Sequence, residues 1–131
     1  MRYHFGSIAL GSFFIGLVSF IRVLFEKRLN GKFIFIRGNH DNNNSLKTII
    51  IKMYLYYGAK TICMTHKPEY ADPNVPLNLC GHVHDKFKIK RLNETSLILN
   101  LSVDVWDFYP VSFKQINHCT AEFLRNEKGH G

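Results

Sequence analysis

The sequence predicts a mixed α/β domain built in layers. Short apolar runs of β-prone residues recur along the chain, among them Phe33–Ile36, Thr61–Thr65, Leu77–Cys80 and Leu97–Val105. Glycine, proline and asparagine interrupt the sequence between them, as they do between strands. Long helical patterns are few, and that mixture points to helices layered on a sheet. With 131 residues, 46% of them hydrophobic, the chain is one domain long and apolar enough to bury a core.

The elements follow in order. Tyr3 to Ile21 is 19 residues with no formal charge apart from His4, which reaches the lower range for a membrane span. Gly6, Gly11 and Gly16 dilute it, and the apolar run continues past Arg22 through Phe25, so residues 3–25 read as a buried core helix. A membrane or export segment is the alternative. Asn30-Gly31 stops that helix, since both residues tolerate positive φ. Phe33–Ile36 is a buried strand that runs into the loop Arg37-Gly38-Asn39-His40-Asp41. Ile49 to Tyr57 is a strand, Gly58-Ala59 a turn, and Thr61–Thr65 a buried strand that delivers His66. Lys67-Pro68 and the Pro73 to Pro76 stretch form a surface loop, and Leu77–Cys80 is a short strand leading into Gly81-His82-Val83-His84. Phe87 and Ile89 alternate with Lys86, Lys88 and Lys90, as in a half-buried strand with a basic face. Leu97 to Val105 is the last long strand. Pro110 breaks the chain, Ser112 caps a short helix through Ile116, and residues 118–131 form a fraying tail of the single domain 1–131.

The net charge of +7 attracts anions: phosphate esters, nucleic acid or an acidic membrane surface. Lys86, Lys88, Lys90 and Arg91 read first as a solvated edge, with phosphate or nucleic acid as the alternative partner. Cys63, Cys80 and Cys119 are an odd set without a CxxC pair, which fits a reducing, cytoplasmic setting and thiols packed as small core residues. Tyr54, Tyr56 and Tyr57 read as packing rather than as a base-stacking surface.

Three strand ends carry polar residues of one chemical kind: Asn39-His40-Asp41, His66 and His82-Val83-His84. Loops at strand ends of α/β sheets commonly hold sites. Neutral imidazole is the commonest metal ligand, and an amide oxygen adds a harder one. His40 is the candidate general acid, with Asp41 placed to orient it. His4, His118 and His130 are ordinary surface or core histidines.

Gly38-Asn39-His40-Asp41, His66 and Gly81-His82-Val83-His84 together resemble the later motifs of the calcineurin-like metallophosphoesterases. Flanking segments, including Val103-Asp104-Val105-Trp106, extend the resemblance over roughly residues 29 to 117 and towards a small bacterial or phage-type branch. The resemblance implies a layered α/β sandwich and a dinuclear site of manganese, iron, zinc or nickel that hydrolyses phosphomonoesters or phosphodiesters. It implies that Asn39, His66 and His82 bind one ion and His84 the other, with His40 as leaving-group acid and Asp41 its support.

The chain departs from that pattern at its start. No Asp precedes Asp41, so the opening Asp-x-His strand is missing, and Ser7 stands where a bridging aspartate is expected. An N-terminally truncated or degenerate member, lacking the first strand, is the simplest account. One ion would keep Asn39, His66 and His82; the other would keep only His84, unless Asp41 or Asp104 moved in. The expectation is therefore a phosphoesterase with impaired two-metal catalysis acting on a phosphoester substrate. A non-catalytic metal- or phosphate-binding remnant and a basic nucleic-acid-binding module are the alternatives, and a membrane partner is not favoured.

Overall fold

The computed structural model describes residues 7–8, 36 and 50–129. The first strand, β1, is Ser7–Ile8. It pairs antiparallel with β7, Val111–Ser112, in a two-stranded sheet. Strand pairing at these two positions corrects the reading of residues 3–25 as one helix; the rest of that span lies outside the described residues. The same is true of the predicted strand at 33–36 except for Ile36, which makes a parallel bridge to Ile50.

The main sheet begins with a hairpin of β2, Lys52–Tyr57, and β3, Lys60–Thr65. Gly58 and Ala59 join them with φ of 59° and 61°. Two successive left-handed residues match the right-handed twist of a tight hairpin. Then come β4, Leu77–Cys80, β5, Ile89–Arg91, and β6, Leu97–Asn100. The strand order is β2-β3-β4-β6-β5. The three inner strands, β3, β4 and β6, are parallel, while β2 and β5 run antiparallel to their neighbours. Parallel pairing puts the carboxyl ends of the three inner strands along one edge, and that edge carries the candidate site.

Every residue of β4 and β6 is buried. Their leucines, Leu77, Leu79, Leu97 and Leu99, join Ile62, Met64 and Leu101 in a core on one face of the sheet. Helix α1, Phe113–Gly129, covers that face. It sets Phe113, Ile116, Cys119 and Phe123 against the core at the spacing of a helical stripe. Its start is a capping box: the Ser112 hydroxyl accepts from the Gln115 amide at 3.3 Å, and Gln115 Oε1 accepts from the Ser112 amide at 2.8 Å.

Three expectations are corrected here. The helix does not stop at Ile116 but runs 17 residues, through most of the segment expected to fray. Near its end, Glu127 accepts Nε and Nη2 of Arg91 at 2.8 and 2.7 Å, which ties the helix to β5. Strand β6 ends at Asn100 rather than Val105, because Val103–Val105 turns into a 3₁₀ helix. Phe87 lies outside β5, because the Asn100 side chain holds its carbonyl at 2.8 Å in a loop.

Candidate metal centre

Two buried asparagines shape the two ends of the central strands. Asn78 accepts from the Asp72 amide at 2.7 Å, donates to the Asp72 carbonyl at 2.9 Å and donates to Ser96 Oγ at 3.0 Å. It fastens the surface loop at the amino ends. Asn100 does the corresponding work at the carboxyl ends. Its Nδ2 donates to the carbonyls of His84 and Phe87 at 2.6 and 2.8 Å, and its Oδ1 accepts from the Ser102 amide at 2.9 Å. With no solvent exposure, it fixes the path of the loop that carries the histidines.

Strand β3 ends just before His66, and β4 just before Gly81-His82-Val83-His84. The Gly81 amide donates to the His66 carbonyl at 2.9 Å, so the two strands stay in register past their last residues. His66 is buried, and its ring meets that of His82 with centroids 5.1 Å apart and planes at 68°. His84 stands further out, and its Nδ1 lies 3.2 Å from Asp104 Oδ2. Asp104 belongs to the 3₁₀ turn that follows β6.

Strain gathers in this loop. His82 and His84 have φ of 68° and 48°, a region that suits glycine and costs other residues about 1–3 kcal/mol each. The Ser102 hydroxyl is the one buried side-chain polar atom among the described residues without a protein partner. A hydroxyl left so keeps its capacity to bond whatever enters beside it.

Of the site residues read from the sequence, the structure brings His66 and His82 together and places His84 in the same loop as His82. Asn39, His40 and Asp41 lie outside the described residues. Among the described residues no three His, Cys, Asp or Glu side chains come close enough to hold one ion. Sequence reasoning missed Asn100 and Ser102, and it named Asp104 without its partner. A polar residue closing the apolar run Leu97-Ile98-Leu99 was the available signal for Asn100.

The thiols take no part. Cys63 and Cys80 are fully buried, and burial pushes the Cys80 thiol up to about 12. Among the described residues they form no group with His66 and His82 that could hold an ion. At the opposite edge of the sheet, a cleft of about 230 Å³ is lined by Lys60, Leu77, Arg91, Leu97 and Leu124 among others, and includes none of the histidines.

A family model described as plasma-membrane choline transporter matches residues 1–67. The chain belongs to that family. No curated protein and no solved structure is significantly similar to it. The match overturns the assignment to the calcineurin-like metallophosphoesterases, and with it phosphoester hydrolysis and the hydrolase, phosphatase and phosphodiesterase descriptions. That resemblance rested on short motifs at strand ends, whereas the match rests on a continuous stretch that includes the long apolar opening. The matched stretch ends one residue after His66, so His82, His84, Asn100 and Asp104 lie beyond it.

Proposed function

We propose that the carboxyl edge of this α/β sheet binds a divalent transition-metal ion, with His66 and His82 as its imidazole ligands. The approach of those two rings carries the proposal. Two imidazoles bonded to one ion at about 2.0–2.1 Å, with a roughly tetrahedral angle between them, bring their ring centroids to about 5 Å. The observed separation is 5.1 Å. An imidazole pair suits manganese, iron, nickel or zinc rather than calcium or magnesium. Asn39 is the further protein ligand proposed, and water completes the shell.

His84 has a different part. A carboxylate on one ring nitrogen of a histidine fixes its tautomer and the orientation of the ring. Asp104 is placed to do this for His84, whose second nitrogen would then face the ion or a group bound to it. The strained backbone at His82 and His84 supports the same reading, since such strain persists where a site requires it.

The test uses His82→Gly. Glycine suits the left-handed backbone at this position, so the variant removes the imidazole without adding backbone strain. Calorimetric titration of the chain with Mn²⁺ or Zn²⁺ should show about one ion per chain, bound at least tenfold more weakly by His82→Gly. Equal affinity in the two proteins, or no heat from either, overturns the proposal.

The family match favours a second reading, transport of choline at the plasma membrane. The uncharged run from Tyr3 to Ile21 lies within the matched residues. Among the described residues no helix is long and apolar enough to cross a membrane. Uptake of labelled choline into vesicles containing the chain, above that of empty vesicles, would support it; equal uptake would refute it.

A further inference from the structure

We propose that the outward face of β2 is a stacking platform for single-stranded nucleic acid, with Tyr54 and Tyr56 receiving two bases and Lys52 a backbone phosphate. Side chains alternate along a strand. Met53 and Leu55 pack against the core, so Lys52, Tyr54 and Tyr56 share the opposite face. The tyrosines are 51% and 73% exposed, which the expectation of core packing did not foresee. Their attachment points are two residues apart, about 6.6–6.8 Å along the strand. On β3 the register partners are Cys63 and Thr61, both too small to cover an aromatic ring.

The platform is also oriented. The Tyr54 hydroxyl donates to Asp72 Oδ2 at 2.7 Å, which holds the edge of that ring and leaves a face for a ligand. Stacking needs only a ring face, and every base has one to offer. The whole chain, at net +7, attracts a polyanion, and Lys52 at the head of the tyrosine row offsets the Asp72 carboxylate beside Tyr54. Three residues of the other basic row are engaged within the molecule. Arg91 is bonded to Glu127, Lys88 lies over Trp106 at 4.1 Å, and Lys90 over Phe87 at 4.5 Å. A lipid surface suits the face less well, because the Tyr54–Asp72 carboxylate would be driven into a medium of low dielectric.

The experiment titrates the whole chain into labelled U₁₂ and dT₁₂ oligonucleotides and follows anisotropy and tyrosine emission. Binding should quench tyrosine emission and weaken as salt rises. Tyr56→Ala should weaken binding by about tenfold or more, and Tyr56→Phe should restore it. The exposure of Tyr56 makes loss of folding in these variants unexpected, and the quenching in the unaltered chain stands independently of them. The proposal is overturned if neither oligonucleotide binds, if a duplex of equal length binds as tightly, or if Tyr56→Ala binds like the parent. Loss of binding to anionic vesicles in Tyr56→Ala, with oligonucleotide binding unchanged, would assign the face to a membrane instead.

Discussion

Replacing Asn100 with alanine removes three hydrogen bonds at the point where β6 meets the histidine loop. Two of them hold the carbonyls of His84 and Phe87, and the third takes up the Ser102 amide. A typical intramolecular hydrogen bond is worth about 0.5–1.5 kcal/mol net, and a buried donor left unsatisfied costs about 1–3 kcal/mol. The Ser102 bond is buried and should contribute near the upper figure, whereas the two loop carbonyls lie nearer solvent and can rehydrate. The sum is about 2–4 kcal/mol. With a urea slope of about 2 kcal/mol per molar, the unfolding midpoint should fall by about 1–2 M. Asn100→Asp should be worse at neutral pH, because it turns a carboxylate towards two carbonyl oxygens. It should recover as the pH falls far enough to protonate that carboxyl. A loss below about 0.5 kcal/mol in Asn100→Ala, measured by circular dichroism in urea, would refute the role assigned to this residue.

Other perturbations separate the remaining elements. Arg91→Ala should cost no more than about 1 kcal/mol, since its pair with Glu127 is partly exposed, yet amide exchange should quicken in the last turns of α1; unchanged exchange there would show that the pair does not hold the helix. Burial raises all three thiols, so the native chain should react with a thiol reagent at pH 8 slowly and only at the half-buried Cys119, and at all three positions after unfolding. The Tyr54 hydroxyl and the Asn74 amide hold the Asp72 carboxyl below its usual range. The stability it contributes is therefore full above its unfolded value of about 3.9 and is lost as the pH falls through the lower folded value. The same bond pushes Tyr54 up to about 12, so its contribution is full below about pH 10 and fades as the pH rises through that folded value. The stability difference between the parent chain and Tyr54→Phe should thus be flat from about pH 5 to 9 and shrink at both ends; a difference independent of pH would remove the bond from the account.

Much of the fold was legible because its strands are apolar and short. Leu77–Cys80 is bounded as expected, since Pro76 precedes it and Gly81 follows. The hairpin turn at Gly58-Ala59 was likewise readable from residue type. The length of α1 was not. Its polar second half looks like a tail, and what holds it is long-range: Phe123 packs against the core and Glu127 pairs with Arg91. The end of β6 was misread for a related reason: Val103 and Val105 have strand propensity, but the Asn100 side chain takes up the Ser102 amide as the chain turns away. The tyrosines of β2 show the limit of composition. Alternation assigns Tyr54 and Tyr56 to one face, but whether that face is covered depends on the neighbouring strand and loop.

At the site, histidines on two adjacent strand ends were legible as candidates, because imidazole in Gly- and Pro-flanked loops is recognisable. Their meeting at 5.1 Å was not, since it depends on the parallel register of β3 and β4. The His84–Asp104 pair joins residues 20 positions apart through the turn after β6, which no local pattern encodes. Family membership was obscured for a different reason. Short polar motifs around the histidines dominated the reading, while the match runs through the apolar opening.

The proposed centre is tested most directly by locating the ion. A crystal grown with Mn²⁺ and measured for anomalous scattering should show one peak, within about 2.0–2.3 Å of a ring nitrogen of both His66 and His82. A peak bound elsewhere, or to only one of these rings, would contradict the account.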